Sequence, residues 1–113
     1  MKHLIILFAA LTFTIGCQKS ELPKGEGQIA TASIEVKTVK CDMCVETITK
    51  TLMHLDGVQN ASVDLEKKVV AVQFAASKQT VVTLESAIAG AGYDANSVQR
   101  DEAAYKQLPE CCQ

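Results

Sequence analysis

The stretch from Ser33 to Gly57, SIEVKTVKCDMCVETITKTLMHLDG, changes its hydrophobic period once. Ile34 and Val36 alternate with charged residues, as in a half-buried strand. Helical spacing follows at Val45, Ile48, Leu52 and Leu55, and Gly57 is a plausible C-terminal stop. The sequence therefore predicts a strand over 33–39, a loop that carries Cys41-Asp42-Met43-Cys44, and a helix that begins at this loop.

The same reading continues to residue 99 and predicts the architecture. Residues 61–65 and 70–74 alternate on either side of the polar turn Glu66-Lys67-Lys68, which indicates a hairpin. A second helical pattern follows at Val81, Leu84, Ile88 and Ala91, and a weak last strand is expected around Ala95 to Gln99. The order βαββαβ predicts an α+β, ferredoxin-like sandwich, in which a four-stranded antiparallel sheet carries two helices on one face.

The Cys-x-x-Cys sequence can hold one metal ion or form one disulfide. Soft metals bind thiolates, and a free cysteine, with a pKa near 8.5, is mostly protonated at neutral pH. Cys44 is expected in the first turn of the helix, where free N–H groups and the helix dipole favour negative charge, while Cys41 lies on the entering loop. Two thiolates without a nearby imidazole or carboxylate favour Cu(I) and Hg(II), and bind Zn(II) and Cd(II) less well.

Residues 31–100 resemble the heavy-metal-associated domain family, on the strength of the βαββαβ order, Cys41, Cys44 and the pair Gly92-Tyr93. That family includes copper chaperones, modules of copper-transporting ATPases and the periplasmic mercury-binding protein. The resemblance implies a metal carrier that exchanges its ion with the thiolates of a metal-transporting membrane protein, acting as donor or acceptor. It also places Tyr93 and Met43 beside the metal without making either a ligand.

The chain departs from the family just before the cysteines. The family usually has Gly-Met-x-Cys, whereas this chain has Thr38-Val39-Lys40-Cys41. Cu(I) is the leading ion, because it is the family's commonest cargo and a lysine precedes Cys41. Hg(II) is next, given the export signal and the additional cysteines described below.

The N-terminal residues predict export. Residues 1–16 carry Lys2 and an apolar run over 4–15, which at twelve residues is too short for a membrane-spanning helix of roughly 20. The run ends in Thr14-Ile15-Gly16-Cys17, which resembles the lipobox of bacterial lipoproteins and implies an acylated Cys17. The alternative is an ordinary cleaved signal with Cys17 free. Residues 17–30 are polar and are interpreted as a tether from a membrane anchor to the domain.

The C-terminal tail, residues 101–113, lies outside the family's domain and ends in Cys111-Cys112-Gln113. A disulfide between adjacent cysteines would be strained, so these thiols suit a metal or another cysteine better. A last strand antiparallel to the first would end away from the metal loop, so the tail would have to travel back. Its reach is about 10 Å of helix plus 13 Å of extended chain. We expect Cys111 and Cys112 to help cap the metal at Cys41 and Cys44 or to collect it first; alternatively, the tail is flexible and inert.

Composition limits the other functions. The formal net charge is −2 and no basic stripe is present, which argues against nucleic acid as a partner. One rival is an exported thiol–disulfide oxidoreductase, although the chain has no Trp, and Pro23 and Pro109 both lie outside the domain. Another is a structural zinc site made of the four cysteines 41, 44, 111 and 112. The sequence favours a monomeric, membrane-tethered binding module rather than an enzyme.

Overall fold

The computed structural model describes residues 28–113. The chain forms three strands, β1 (Ile29–Glu35), β2 (Val58–Asp64) and β3 (Val69–Ala75). Its helices are α1 (Asp42–Met53), α2 (Val81–Gly90) and the short α3 (Glu102–Lys106), followed by a 3₁₀ turn at Glu110–Cys112. The predicted α+β class is confirmed. None of the helices within 28–113 has the length and apolar character needed to cross a membrane.

The three strands form an antiparallel sheet in the order β1-β3-β2. In the register of the sheet, Ser33 lies opposite Ala71 and Ala61 lies opposite Val72. β1 begins at Ile29 and ends at Glu35, so it lies earlier in the chain than the strand predicted over 33–39. The loop to α1 is correspondingly longer, and it carries Val39 and Cys41 toward the helix start.

The core follows the periods read from the sequence. Strand positions two apart are buried, as at Ala32 and Ile34, and helix positions four apart are buried, as at Ile48 and Leu52. No charged side chain is buried among residues 28–113. The buried core also includes two cysteines, Cys44 and Cys112. The described core is therefore built mainly from apolar side chains, together with these two thiols.

One element differs from the prediction. In the described part of the chain the segment 95–99 is not a strand; Ala95 and Val98 bridge to each other across a tight turn. Asn96 has a positive φ of 50°, which interrupts an extended chain and which asparagine tolerates better than most residues. Its main-chain N–H donates to the Glu35 carbonyl at 2.8 Å, and its side-chain oxygen accepts from the Glu35 N–H at 2.9 Å. Asn96 thus pairs with the last residue of β1, beside which a fourth strand was expected.

This turn sends the tail back at once. The Asp101 N–H donates to the Ala89 carbonyl, at the C-terminal end of α2, at 2.9 Å. The Asp101 side chain then caps α3 by accepting from the Ala104 N–H at 3.1 Å. The expected long return path is therefore wrong, because the chain reverses before it can move away from the loop that holds the first two cysteines.

Candidate metal centre

Cys41 and Cys44 are positioned by the start of α1. Cys41 is the N-cap residue, with extended backbone, and its carbonyl accepts from the N–H groups of Cys44 and Val45 at 3.0 and 3.2 Å. This turn brings the two sulfurs to 3.5 Å from each other. The Cys44 side chain is buried, whereas Cys41 is partly exposed. Solvent therefore reaches this pair of thiols through Cys41.

The tail brings two more sulfurs to the same place. The Cys41 Sγ lies 3.3 Å from the Cys111 Sγ and 3.6 Å from the Cys112 Sγ, and the two tail sulfurs are 3.9 Å apart. Cys112 is 1% exposed, while Cys111 is exposed. The tail cysteines, predicted to come near the loop, thus lie in direct contact with Cys41.

The dimensions of this sulfur cluster suit a metal ion. A zinc–thiolate bond is about 2.3 Å, so two ligands at tetrahedral angles around such an ion lie about 3.8 Å apart. The sulfurs of Cys41, Cys111 and Cys112 lie at 3.3, 3.6 and 3.9 Å from one another, close to that value. An ion bound to Cys41 could therefore also reach either tail sulfur with displacements of only a few tenths of an ångström.

The thiols of the cluster differ in acidity. The pKa of Cys41 is lowered to about 7, first by the Cys44 main-chain N–H and then by the Cys111 thiol. Burial raises the pKa of Cys112, and the Cys44 side chain beside it adds to this effect. Contact with Cys41 is the main cause that raises the pKa of Cys111. Cys41 is therefore the first of these three thiols to become a thiolate, and contact with it favours the protonated form of both tail thiols.

The Tyr93 side chain lies beside the thiols of Cys44 and Cys112. It is fully buried, and its hydroxyl has no hydrogen-bond partner among residues 28–113. Burial raises its pKa, and the thiols of Cys44 and Cys112 raise it further. A buried hydroxyl without a partner costs stability. The hydroxyl is in place to donate to a thiolate at either cysteine.

The remaining residues near the loop have distinct surroundings. The Met43 sulfur lies 3.5 Å from the Cys111 Sγ, and its side chain is half exposed. Val39, which stands where the family has methionine, is fully buried. The Lys40 ammonium donates to the main-chain oxygen of Gln113 at 2.5 Å. The Lys40 contact cannot be predicted from the sequence, because no local pattern relates residues 73 positions apart.

Gly92 is a second feature whose role only the structure reveals. It has a φ of +102°, which favours glycine, and it packs directly against α3. A Cβ at this position would lie 2.9 Å from the Tyr105 nitrogen and 3.0 Å from the Leu108 Cδ1. In the sequence the Gly92-Tyr93 pair supports the family resemblance, and in the structure the glycine also allows the tail to approach.

Comparison with known proteins gives a consistent set of relatives. Residues 33–94 match the family model described as heavy-metal-associated domain. The copper chaperone CopZ of Staphylococcus saprophyticus is 39% identical over 66 residues, which cover 58% of this chain and 97% of the relative. The mercuric transport protein periplasmic component of Shewanella putrefaciens is 40% identical over 63 residues, covering 56% of this chain and 69% of the relative.

Among solved structures, a copper binding domain from HMA7, a P-type ATPase, superimposes with a TM-score of 0.57 at 26% identity. The superposition covers 58% of this chain and 89% of that domain. The family match ends at residue 94, so it does not include the tail.

Proposed function

The chain belongs to the heavy-metal-associated domain family, and on that premise we propose that it binds a soft metal ion through Cys41 and Cys44. We propose that it then gives the ion up by exchanging these sulfurs for the thiolates of a partner. The observation that carries the proposal is the pair of sulfurs 3.5 Å apart at the first turn of α1, one of them partly exposed. The helix start favours the negative charge of the thiolates, and the exposed side admits an incoming ligand.

Cu(I) is the proposed ion, with Hg(II) second. The ligand atoms that lie together at this loop, those of Cys41, Cys111 and Cys112, are sulfurs, and thiolates favour soft ions such as Cu(I) and Hg(II) over harder ions. The relatives include proteins named for copper and one named for mercury, so they do not separate the two ions. Zn(II) and Cd(II) are the weaker candidates.

A structural zinc site is the second candidate function, because the tail brings Cys111 and Cys112 to Cys41 and Cys44. A Cys₄ site would make the ion a permanent staple. Against this, the core is built from apolar side chains, and Cys111 is exposed where a closed structural site would bury its ligands. Thiol–disulfide exchange is the third candidate, since the Cys41 thiol has a lowered pKa and touches other thiols.

We propose that the partner is a metal-transporting membrane protein. The similarity to an ATPase domain supports this choice. We also propose that Cys17, which lies outside the described residues, anchors the domain outside the cytoplasm. Growth with a labelled fatty acid tests the anchor: the protein should carry the label, and Cys17→Ala should lose both the label and the membrane association. An unlabelled protein would contradict the anchor and leave metal binding untouched.

The experiment for the main proposal is competition for Cu(I) under anaerobic conditions between the reduced protein and bicinchoninate, a coloured Cu(I) chelator. Cys41→Ser/Cys44→Ser is the test variant, and Ser33→Ala/Ser62→Ala, on exposed positions of the sheet, is the control. We expect the protein and the control to take one equivalent from the chelator and the test variant to take none. Retained binding in the test variant would refute the role of this pair. The same titration with Zn(II), followed by thermal unfolding, distinguishes an ion that is carried from an ion that stabilises the fold.

A further inference from the structure

We propose that the tail cysteines have two different roles at this centre. Cys112 is an inner ligand that completes a three-sulfur set with Cys41 and Cys44, whereas Cys111 is the outer sulfur through which the ion enters and leaves. This inference rests on the proposed function, because it assumes that Cys41 and Cys44 bind the ion. It goes beyond that function by making the C-terminal tail part of the metal site.

The first step of the argument is that the tail is held at both ends. At its start, the Asp101 N–H bonds to the Ala89 carbonyl at 2.9 Å, and the Arg100 guanidinium lies 3.5 Å from the centre of the Tyr105 ring. At its end, the Lys40 side chain and the Gln113 side chain fix the last turn, the latter by donating to the Leu108 carbonyl at 2.7 Å. The positions of the tail sulfurs therefore follow from packing rather than from chance proximity.

The second step is the difference in burial between neighbouring residues. Cys112 is 1% exposed and belongs to the same core cluster as Cys44 and Tyr93. A sulfur held there cannot leave without undocking the tail, which suits a ligand that stays. The Cys112 side chain also lies beside the Tyr93 hydroxyl, which has no hydrogen-bond partner in the described part of the chain. A thiolate at Cys112 or Cys44 would accept from that hydroxyl, so metal binding would give the buried group a partner.

The third step concerns Cys111. Its sulfur is exposed, yet it lies 3.3 Å from the Cys41 Sγ, the most accessible sulfur of the loop pair. The half-exposed Met43 thioether lies 3.5 Å from the Cys111 Sγ on the solvent side. Ligand exchange at a metal ion requires that the incoming sulfur can reach the ion, just as disulfide exchange requires access for the attacking thiolate. Cys111 can therefore receive an ion from solvent or from a partner and pass it to Cys41 without a large movement.

The exchange balances without any redox step. The ion arrives bound to donor thiolates, and Cys111 loses its proton to solvent as it binds and one donor sulfur departs. Cys41, Cys44 and Cys112 then bind in turn as thiolates, each releasing its proton, and the remaining donor sulfur and Cys111 leave and are reprotonated. The ion keeps its charge throughout, and unloading is the reverse sequence toward a partner's thiolates.

The test compares two neighbouring variants, Cys111→Ser and Cys112→Ser, in the reduced full chain with Cu(I) supplied as its bicinchoninate complex. For Cys112→Ser we expect a loss of affinity beyond the roughly 10- to 100-fold that removing a supporting group costs. X-ray absorption should show three sulfur ligands per copper in the protein and two in this variant. For Cys111→Ser we expect unchanged affinity and three sulfurs, but uptake about tenfold slower, equal to a barrier higher by about 1.4 kcal/mol.

Four outcomes are possible. The expected pattern supports the division of roles, and Cys112→Ala, together with a thermal unfolding curve, confirms that the lost affinity does not come from misfolding. Equal effects of the two variants on affinity and rate would overturn it, as would an affinity loss in Cys111→Ser alone. Unchanged copper binding in both variants, with binding abolished in Cys41→Ser/Cys44→Ser, would refute the tail's role and leave the proposed function standing.

Discussion

The substitution Gly92→Ala should release the tail from the domain. At the φ of +102° of Gly92, an added Cβ would lie 2.9 Å from the Tyr105 nitrogen and 3.0 Å from its Cα. Both are main-chain atoms, which cannot rotate away as the end of a flexible side chain can. The strain therefore has to be relieved by a movement of α3, and α3 leads directly to the tail cysteines.

The free-energy cost of Gly92→Ala has two parts. A left-handed backbone costs an alanine about 1–2 kcal/mol, and this part weakens the whole domain whether or not the tail is docked. The contact with Tyr105 is an overpacking that costs about 1–3 kcal/mol and acts on the docked state alone. We therefore expect the equilibrium between docked and undocked tail to shift about 5- to 150-fold toward the undocked form.

Pulsed alkylation of the native, reduced protein measures this shift, with the label at each cysteine quantified by mass spectrometry. Cys112 is 1% exposed and should react only when the tail undocks, so its labelling rate should rise by the same factor in Gly92→Ala. Gly90→Ala is the matched control, because a Cβ there meets nothing within 4 Å and alanine favours the helix. A folded Gly92→Ala variant in which Cys112 still reacts at the rate of the unsubstituted protein would refute the reasoning.

Three further predictions follow from individual side chains. Because the pKa of Cys41 is lowered to about 7 from 9.0, its alkylation rate should rise as pH increases through 7 and level off below pH 9. The pKa of Cys111 is raised, so its alkylation rate should still increase above pH 9. Equal pH profiles for the two cysteines would contradict this prediction. Tyr93→Phe removes the buried hydroxyl that has no partner among residues 28–113. The metal-free protein should therefore be as stable as before, or more stable by up to about 1–3 kcal/mol, while the stability gained from bound Cu(I) should fall. Urea unfolding with and without the ion measures both effects. Asn96→Ala loses the side-chain acceptor for the Glu35 N–H and places alanine at a φ of 50°. The free energy of unfolding should therefore fall by about 2–3 kcal/mol. A fall of less than about 0.5 kcal/mol would show that this turn does not stabilise the end of β1.

Most of the fold could be predicted because it rests on local periods. Ile34 follows the alternation of a strand, and Ile48 and Leu52 lie four residues apart on a helix; each of these side chains is fully buried. The family resemblance, confirmed by the match over 33–94, gave the same architecture. The fourth strand failed because Asn96 forms a turn and bonds to Glu35, a contact between residues 61 positions apart that no local pattern shows.

Local sequence spacing also predicts that the thiols of Cys41 and Cys44 lie together, because one helical turn separates them. Their sequence alone left metal binding and disulfide chemistry open. For Cys111 and Cys112 the sequence predicted an approach to this pair from the reach of the tail, but it left a flexible, inert tail as the alternative.

The sequence by itself determined the α+β architecture, the start of α1 at a pair of thiols and the presence of two further cysteines. The tertiary structure alone decided that the tail folds back against Gly92 and that Cys112 is buried while its neighbour Cys111 is exposed. The physical reason is range: hydrophobic periods and caps act over a few residues. The path of the tail depends on contacts such as that of Lys40 with Gln113, which exist only once the sheet and helices have packed.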